Sequence, residues 1–182
     1  MMTNSPDTLS QWLTTESAIR ANWTERKPLP RSAMATMTGL ALFEAMLNGE
    51  LPGAPIADTL DFLLVEATHG RAVFQGQPTP KVLNPLGGVH GGWYATLLDS
   101  CMACSVHTTL PAGRAYTTTE FSVHLVRAIP PDVQRVRAIG QVLHAGRQLA
   151  TAEGKLVGPD GRLYAHGTTS CLVFDLPGEK TS

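Results

Sequence analysis

The stretch NPLGGVHGGWYATLLDSCMACSV, residues 84–106, gathers the groups in this chain best suited to chemistry. Glycines surround His90, and an apolar run follows that contains one carboxylate, Asp99. A carboxylate on an apolar helix face is costly to bury unless it is paired or used. Ala95, Thr96, Met102 and Ala103 are its neighbours at helical spacing, and none can neutralise it. Its pKa is therefore expected to rise toward the working pH, as suits a proton acceptor or a nucleophile. Gly91 and Gly92 open the same helix. The first turn of a helix carries unpaired N–H groups and a partial positive charge, and glycine leaves them open to an approaching oxygen.

The elements around this run can be read from periodicity. Residues 7–23 place Leu9, Trp12, Leu13 and Ile19 at helical spacing, and KPLPRS (27–32) reads as a linker. A second helix is expected through TMTGLALFEAMLNGELPG, with Leu40, Phe43 and Leu47 on one face and Asn48-Gly49 as its stop. From residue 60 the period becomes two. TLDFLLVEA and RAVFQGQ read as strands joined at His69-Gly70. Residues 91–106, rich in alanine and leucine, read as a buried helix. YTTTEFSVHLVRAI then alternates, which puts Thr117, Thr119, Phe121, Val123 and Leu125 on one face. Three further strands follow, VQRVRAIGQVLH, QLATAEGKLV and RLYAHGTTSCLVF, with short glycine turns that indicate antiparallel hairpins. One curved antiparallel sheet wrapped around one long helix is the economical packing, an α+β architecture with extra N-terminal helices.

Together these residues resemble the hotdog-fold thioesterases, in particular the group named for phenylacetic-acid degradation. The resemblance covers about residues 38–175 and rests on Asn84, Gly87-Gly88, His90-Gly91-Gly92, Asp99 and the TTTEFSVHLVRAI strand. It implies a thioesterase domain over 36–182, preceded by a helical extension and linker over 1–35. It implies an acyl-CoA substrate, with Asp99 as general base or nucleophile and the N–H groups of Gly91 and Gly92 as oxyanion donors. Asn84 would donate to the carbonyl or to a water, Thr118 would hold the attacking water, and His90 would orient the loop. Gly88, Val89 and Trp93 would line the substrate site. Arg127, Arg147 and Lys155 are candidates for the nucleotide phosphates. A homo-oligomer, a dimer or a dimer of dimers, is implied, with no cofactor. A non-catalytic acyl-CoA sensing module and a hotdog hydratase are the rival readings; the hydratase wants a catalytic His paired with an acid, which the H-G-G context fits poorly.

Composition narrows the class. The chain has 182 residues, 43% hydrophobic and 16% charged, with a formal charge of −1. That is enough for one domain with a core, and it offers no basic field for nucleic acid or anionic lipid. No apolar run reaches the roughly 20 residues of a membrane span, and the start MMTNSPDTLSQWL has no signal pattern, so a cytoplasmic protein is expected. Cys101 and Cys104 share a helix face with His107 nearby, but a structural zinc needs four ligands, so both are read as core residues and no metal is assigned. Phe62, Phe74 and Trp93 are placed near the site, where they fit an aryl or a fatty pocket equally.

Overall fold

His90 starts the long helix. Its Nδ1 accepts a hydrogen bond from the N–H of Gly92 (2.9 Å), and α5 runs from Gly91 to His107. In this computed structural model residues 6–23 and 26–176 are described. Four α-helices precede α5: α1 (Pro6–Asn22), as long as α5, and the shorter α2 (Arg31–Thr36), α3 (Gly39–Leu47) and α4 (Pro55–Thr59). The strands are β1 (Phe62–Thr68) and β2 (Arg71–Gly76) before α5, then β3 (Arg114–Leu125), β4 (Val136–Ala145), β5 (Leu149–Val157) and β6 (Leu163–Asp175). They form one antiparallel sheet in the order β1-β2-β4-β5-β6-β3. The chain leaves the sheet after β2, passes through α5, and returns at the far edge as β3.

The helix can lie close to the sheet because of a row of small residues. Ala72 of β2 pairs with Gly140 of β4, Gly140 with Gly154 of β5, and Gly154 with Gly167 of β6. A Cβ on Gly140 would stand 2.1 Å from the Cys101 carbonyl oxygen, and one on Gly154 would stand 2.7 Å from Met102 Cγ. The row is a furrow across four strands, and the middle of α5 sits in it. Leu97, Leu98, Cys101, Met102 and Val106 are fully buried there.

The other face of the sheet is covered at one end by α1. Phe62 and Leu64 of β1 join the core beneath α5, whereas Leu63 and Val65 join Ile19 of α1 and Val73 of β2. A polar clasp fixes α1 in place. Glu16 accepts hydrogen bonds from Arg135 Nε (2.6 Å), Gln75 Nε2 (2.7 Å) and Arg20 Nε (2.8 Å). Burial pushes this carboxyl up, but the bonds from Arg135, Arg20 and Gln75 outweigh it and hold it below the ordinary value.

Three expectations need correction. The linker 27–32 ends inside α2, which starts at Arg31 behind Pro30, where a fixed φ suits a helix entry. On α3 the buried face is Gly39, Leu42, Phe43 and Met46, not Leu40, Phe43 and Leu47. Gly39 lies against the His107 carbonyl, where a Cβ would come within 1.8 Å, and this contact sets the rotation of α3. In β3 the register shifts between Thr118 and Glu120. The bulge at Thr119 makes Phe121, Val123 and Leu125 share the face of Thr118, not that of Thr117.

Filling the furrow tests its role. Gly140→Ala is expected to destabilise the protein by about 3 kcal/mol or more, since the clash is with backbone. Gly88→Ala, where a Cβ meets only ordinary contacts, is expected to stay within about 0.5 kcal/mol. Chemical denaturation of both variants checks the contrast.

Candidate active site

Asp99 lies two turns into α5 and is half-buried. Thr118 Oγ1 donates a hydrogen bond to its Oδ1 at 3.1 Å. Thr118 lies on the helix side of β3 with Tyr116, opposite the buried Cys171, and the bulge that follows puts Phe121 on that side as well. Burial raises the pKa of Asp99, and the Thr118 bond only partly offsets this. Among the described residues no cation pairs with the carboxylate. The expected rise therefore has the expected cause, and Asp99 and Thr118 are brought together.

The loop before α5 is a tight turn held by Asn84. Its Oδ1 accepts from the N–H groups of Leu86 (2.9 Å) and Gly88 (3.1 Å), and its backbone N–H donates to the Gly88 carbonyl (2.8 Å). The side-chain NH₂ has no hydrogen-bond partner among the described residues, so Asn84 organises the turn and keeps a donor in reserve. Val89 bridges back to Leu83 and packs on the core. Leu86, at the tip, is 94% exposed.

His90 and the two glycines divide the work at the helix start. The Gly92 N–H is occupied by His90 Nδ1, while the Gly91 N–H has no protein partner among the described residues. The free donor at this terminus is therefore Gly91. From Gly91 to Asp99 the helix axis advances about 12 Å. One chain thus holds the free N–H and the carboxylate too far apart to act on the same carbonyl, where donors must stand about 3 Å from the oxygen.

The remaining candidates are not gathered here. Trp93 is buried, and its indole N–H donates to the Leu60 carbonyl (2.8 Å), so its ring is spent on the core. Arg127, just past the end of β3, is exposed beside the start of β6, where its N–H donates to the Tyr164 carbonyl. Arg147 is exposed in the β4–β5 turn, where its carbonyl accepts from Arg114. The length of β6 separates the two arginines, about 30 Å. Lys155 is exposed on the sheet face away from α5. Only Arg127 shares an end of the molecule with Gly91, whose nearest neighbour across the gap is Leu125. Cys101 is fully buried, and burial pushes the Cys104 thiol up to about 12, so neither is a thiolate near neutral pH. No group of three metal-ligating side chains occurs among the described residues, and no described helix is long and apolar enough to cross a membrane.

The sequence reading gave Tyr116 no role and weighed His107 only beside the two cysteines. Tyr116 Oη lies 3.9 Å from Cys104 Sγ, and the His107 ring lies between Tyr116, at a tilt, and Phe43, edge to face. Spacing held the signal for both: Tyr116 stands two residues before Thr118 on one strand face, and His107 stands two turns beyond Asp99.

Residues 86–165 match the model of the thioesterase superfamily. No curated protein matches the chain. Among solved structures, a thioesterase family protein from Silicibacter pomeroyi is similar at 22% identity, over 66% of this chain and 90% of that one, with a TM-score of 0.62. A thioesterase from Haemophilus influenzae is similar at 14% identity, over 69% of this chain and 86% of that one, with a TM-score of 0.63. A Bacillus halodurans protein solved with CoA is 36% identical over 56% of this chain and 66% of that one, with a TM-score of 0.53. The curved six-stranded sheet with its long helix is the hotdog fold, and residues 86–165, from the tip of the loop before α5 into β6, are similar to the thioesterase superfamily.

Proposed function

We propose that this protein hydrolyses acyl-CoA thioesters, as a member of the phenylacetic-acid-degradation group, at a site shared between two subunits. The observation that carries the reading is Asp99, a half-buried carboxylate with a raised pKa and a single hydroxyl for company. The similarity to a protein solved with CoA supports CoA as the leaving group.

The reaction needs an attacking oxygen, a stabilised oxyanion and a departing thiolate. In the base pathway Asp99 takes a proton from water while the water oxygen bonds to the thioester carbonyl carbon. The carbonyl oxygen becomes an oxyanion held by the Gly91 N–H and the spare Asn84 amide. As the carbonyl reforms, the C–S bond breaks and the thiolate takes up a proton to leave as CoA. In the nucleophile pathway the Asp99 oxygen bonds to the carbonyl carbon, the C–S bond breaks and the CoA thiolate leaves, giving an anhydride that water then opens to the free acid and the restored carboxylate. Thr118 holds the carboxylate in place for either. Arg127 lies on the correct end to meet a CoA phosphate.

Two features favour a shared site. Gly91 and Asp99 of one chain are too far apart, as above. In addition β3 is a long open edge strand, and near it Phe121, Leu125, Val126 and Leu86 are exposed. Such an edge invites pairing with a second copy, which would bring one subunit's loop toward the other's Asp99.

Asp99→Asn is expected to fold and to lose about 10²–10⁴-fold in kcat. The sign of the pKa shift adds a second readout. Ionising Asp99 costs more in the folded than in the unfolded chain, so its favourable contribution below the ordinary aspartate pKa is lost as pH rises through the raised one. The Asn variant should therefore be at least as stable as the parent at neutral pH. In the parent, kcat should fall as pH drops through a value above the ordinary aspartate range. A folded variant with near-parental hydrolysis, measured by thiol release, would remove Asp99 from the mechanism.

Subunit mixing tests the shared site. Asp99→Ala and Asn84→Ala proteins, each nearly inactive, are mixed in equal amounts and allowed to exchange. About half the dimers become mixed, and each has one intact site, so about a quarter of parental activity should return. Exchange confirmed by mass spectrometry with no recovered hydrolysis would place both residues in one chain's site.

A further inference from the structure

A cavity of about 300 Å³ lies beside α5, between that helix and the N-terminal segment. One wall is Ser100, Cys104 and His107 of α5. These positions are one helical face, and Ser100 adjoins Asp99. Across the cavity stand Leu29 and Met34, with Phe43 from α3, all contributed by the chain before β1. Phe62 and Phe74 form its floor on the sheet. Tyr116 closes the β3 side, and it shares a strand face with Thr118. The cavity therefore begins within a turn of the carboxylate and runs toward His107. Nearly all of its wall is apolar, and much of it precedes residue 86, where the family match starts.

We propose that this cavity receives the acyl tail of the thioester, and that Leu29, Met34 and Phe43 limit it to an apolar tail of medium length. This rests on the hydrolase reading above. The dimensions carry the length. From Ser100 to His107 the helix advances about 10 Å, and the volume suits a tail of roughly ten heavy atoms, by the space water takes in the liquid. The volume is at the small end for a ligand pocket. The chemistry carries the polarity. His107 ends the α5 wall with its ring between Phe43 (5.4 Å) and Tyr116 (5.3 Å). Burial lowers its pKa to about 4, so at neutral pH it brings no charge to the cavity. The segment before β1 thus has a task that the core of the fold does not supply, since without it the α5 wall would face solvent.

The test compares the parent with Leu29→Trp, which fills the cavity, and Met34→Ala, which enlarges it. Acetyl-, octanoyl- and hexadecanoyl-CoA are assayed for kcat/KM. Binding of n-octanol is followed by NMR, which needs no thioester chemistry. The parent is expected to prefer octanoyl-CoA over both others by about tenfold or more. Leu29→Trp should lose about tenfold or more on octanoyl-CoA while acetyl-CoA changes little, and should lose octanol binding. Met34→Ala should shift the preference toward the longer tail. Variants that leave both the chain-length profile and octanol binding unchanged overturn the proposal. If no thioester is hydrolysed but octanol binds and Leu29→Trp abolishes it, the hydrolase reading fails and the tail pocket stands.

Discussion

The close seat of α5 on the sheet is the constraint on which the rest of the molecule depends. Ala72, Gly140, Gly154 and Gly167 line up across β2, β4, β5 and β6, and the helix backbone at Cys101 and Met102 fits where side chains would otherwise stand. Interiors are close-packed, so a helix held off by even one methyl group cannot keep the same contacts. The Thr118–Asp99 hydrogen bond, at 3.1 Å, has little length to spare before it ceases to be one. The furrow thus sets the depth of the helix, and the depth sets the geometry of the carboxylate.

Two carboxylates show how differently this fold treats the same chemical group. Glu16 is buried but meets Arg135, Arg20 and Gln75, and these partners hold its pKa down. It fastens α1 across the outer face of β1 and β2. Asp99 is buried less, yet meets only a hydroxyl, and its pKa goes up. The first arrangement stabilises the ionised form, whereas the second stores an unfavourable charge. Stored charge of that kind is what acid–base chemistry can use, and functional sites are where folds tolerate it.

Much of this was legible in the residues because the signals are local. The apolar run 91–106 is too long for a strand, the glycine turns mark the hairpins, and an unpaired aspartate between Leu98 and Ser100 stands out by chemistry alone. The six strands and the central helix follow from those signals. What was not legible depends on contacts between distant segments. The bulge at Thr119 has no signature in YTTTEFSV, yet it decides which side chains share a face with Thr118. The clasp on Glu16 needs Gln75 to arrive from β2 and Arg135 from the segment just before β4. Trp93 reads as a site residue from its position beside Gly92, but the Leu60 carbonyl claims its N–H. Arg127 and Arg147 look alike in sequence, and only the strand register shows that they stand at opposite ends of β6.

The electrostatic account of Asp99 is open to direct measurement. The side-chain carboxyl can be labelled with ¹³C and its chemical shift followed against pH, with Asp99→Asn used to assign the resonance. A carboxyl left half-buried without a cation should titrate above the ordinary aspartate range, and its midpoint should coincide with the acid limb of thioester hydrolysis. A resonance that titrates at or below the ordinary value would mean that the charge is already satisfied in the fold, and would contradict Asp99 as the group that drives the reaction.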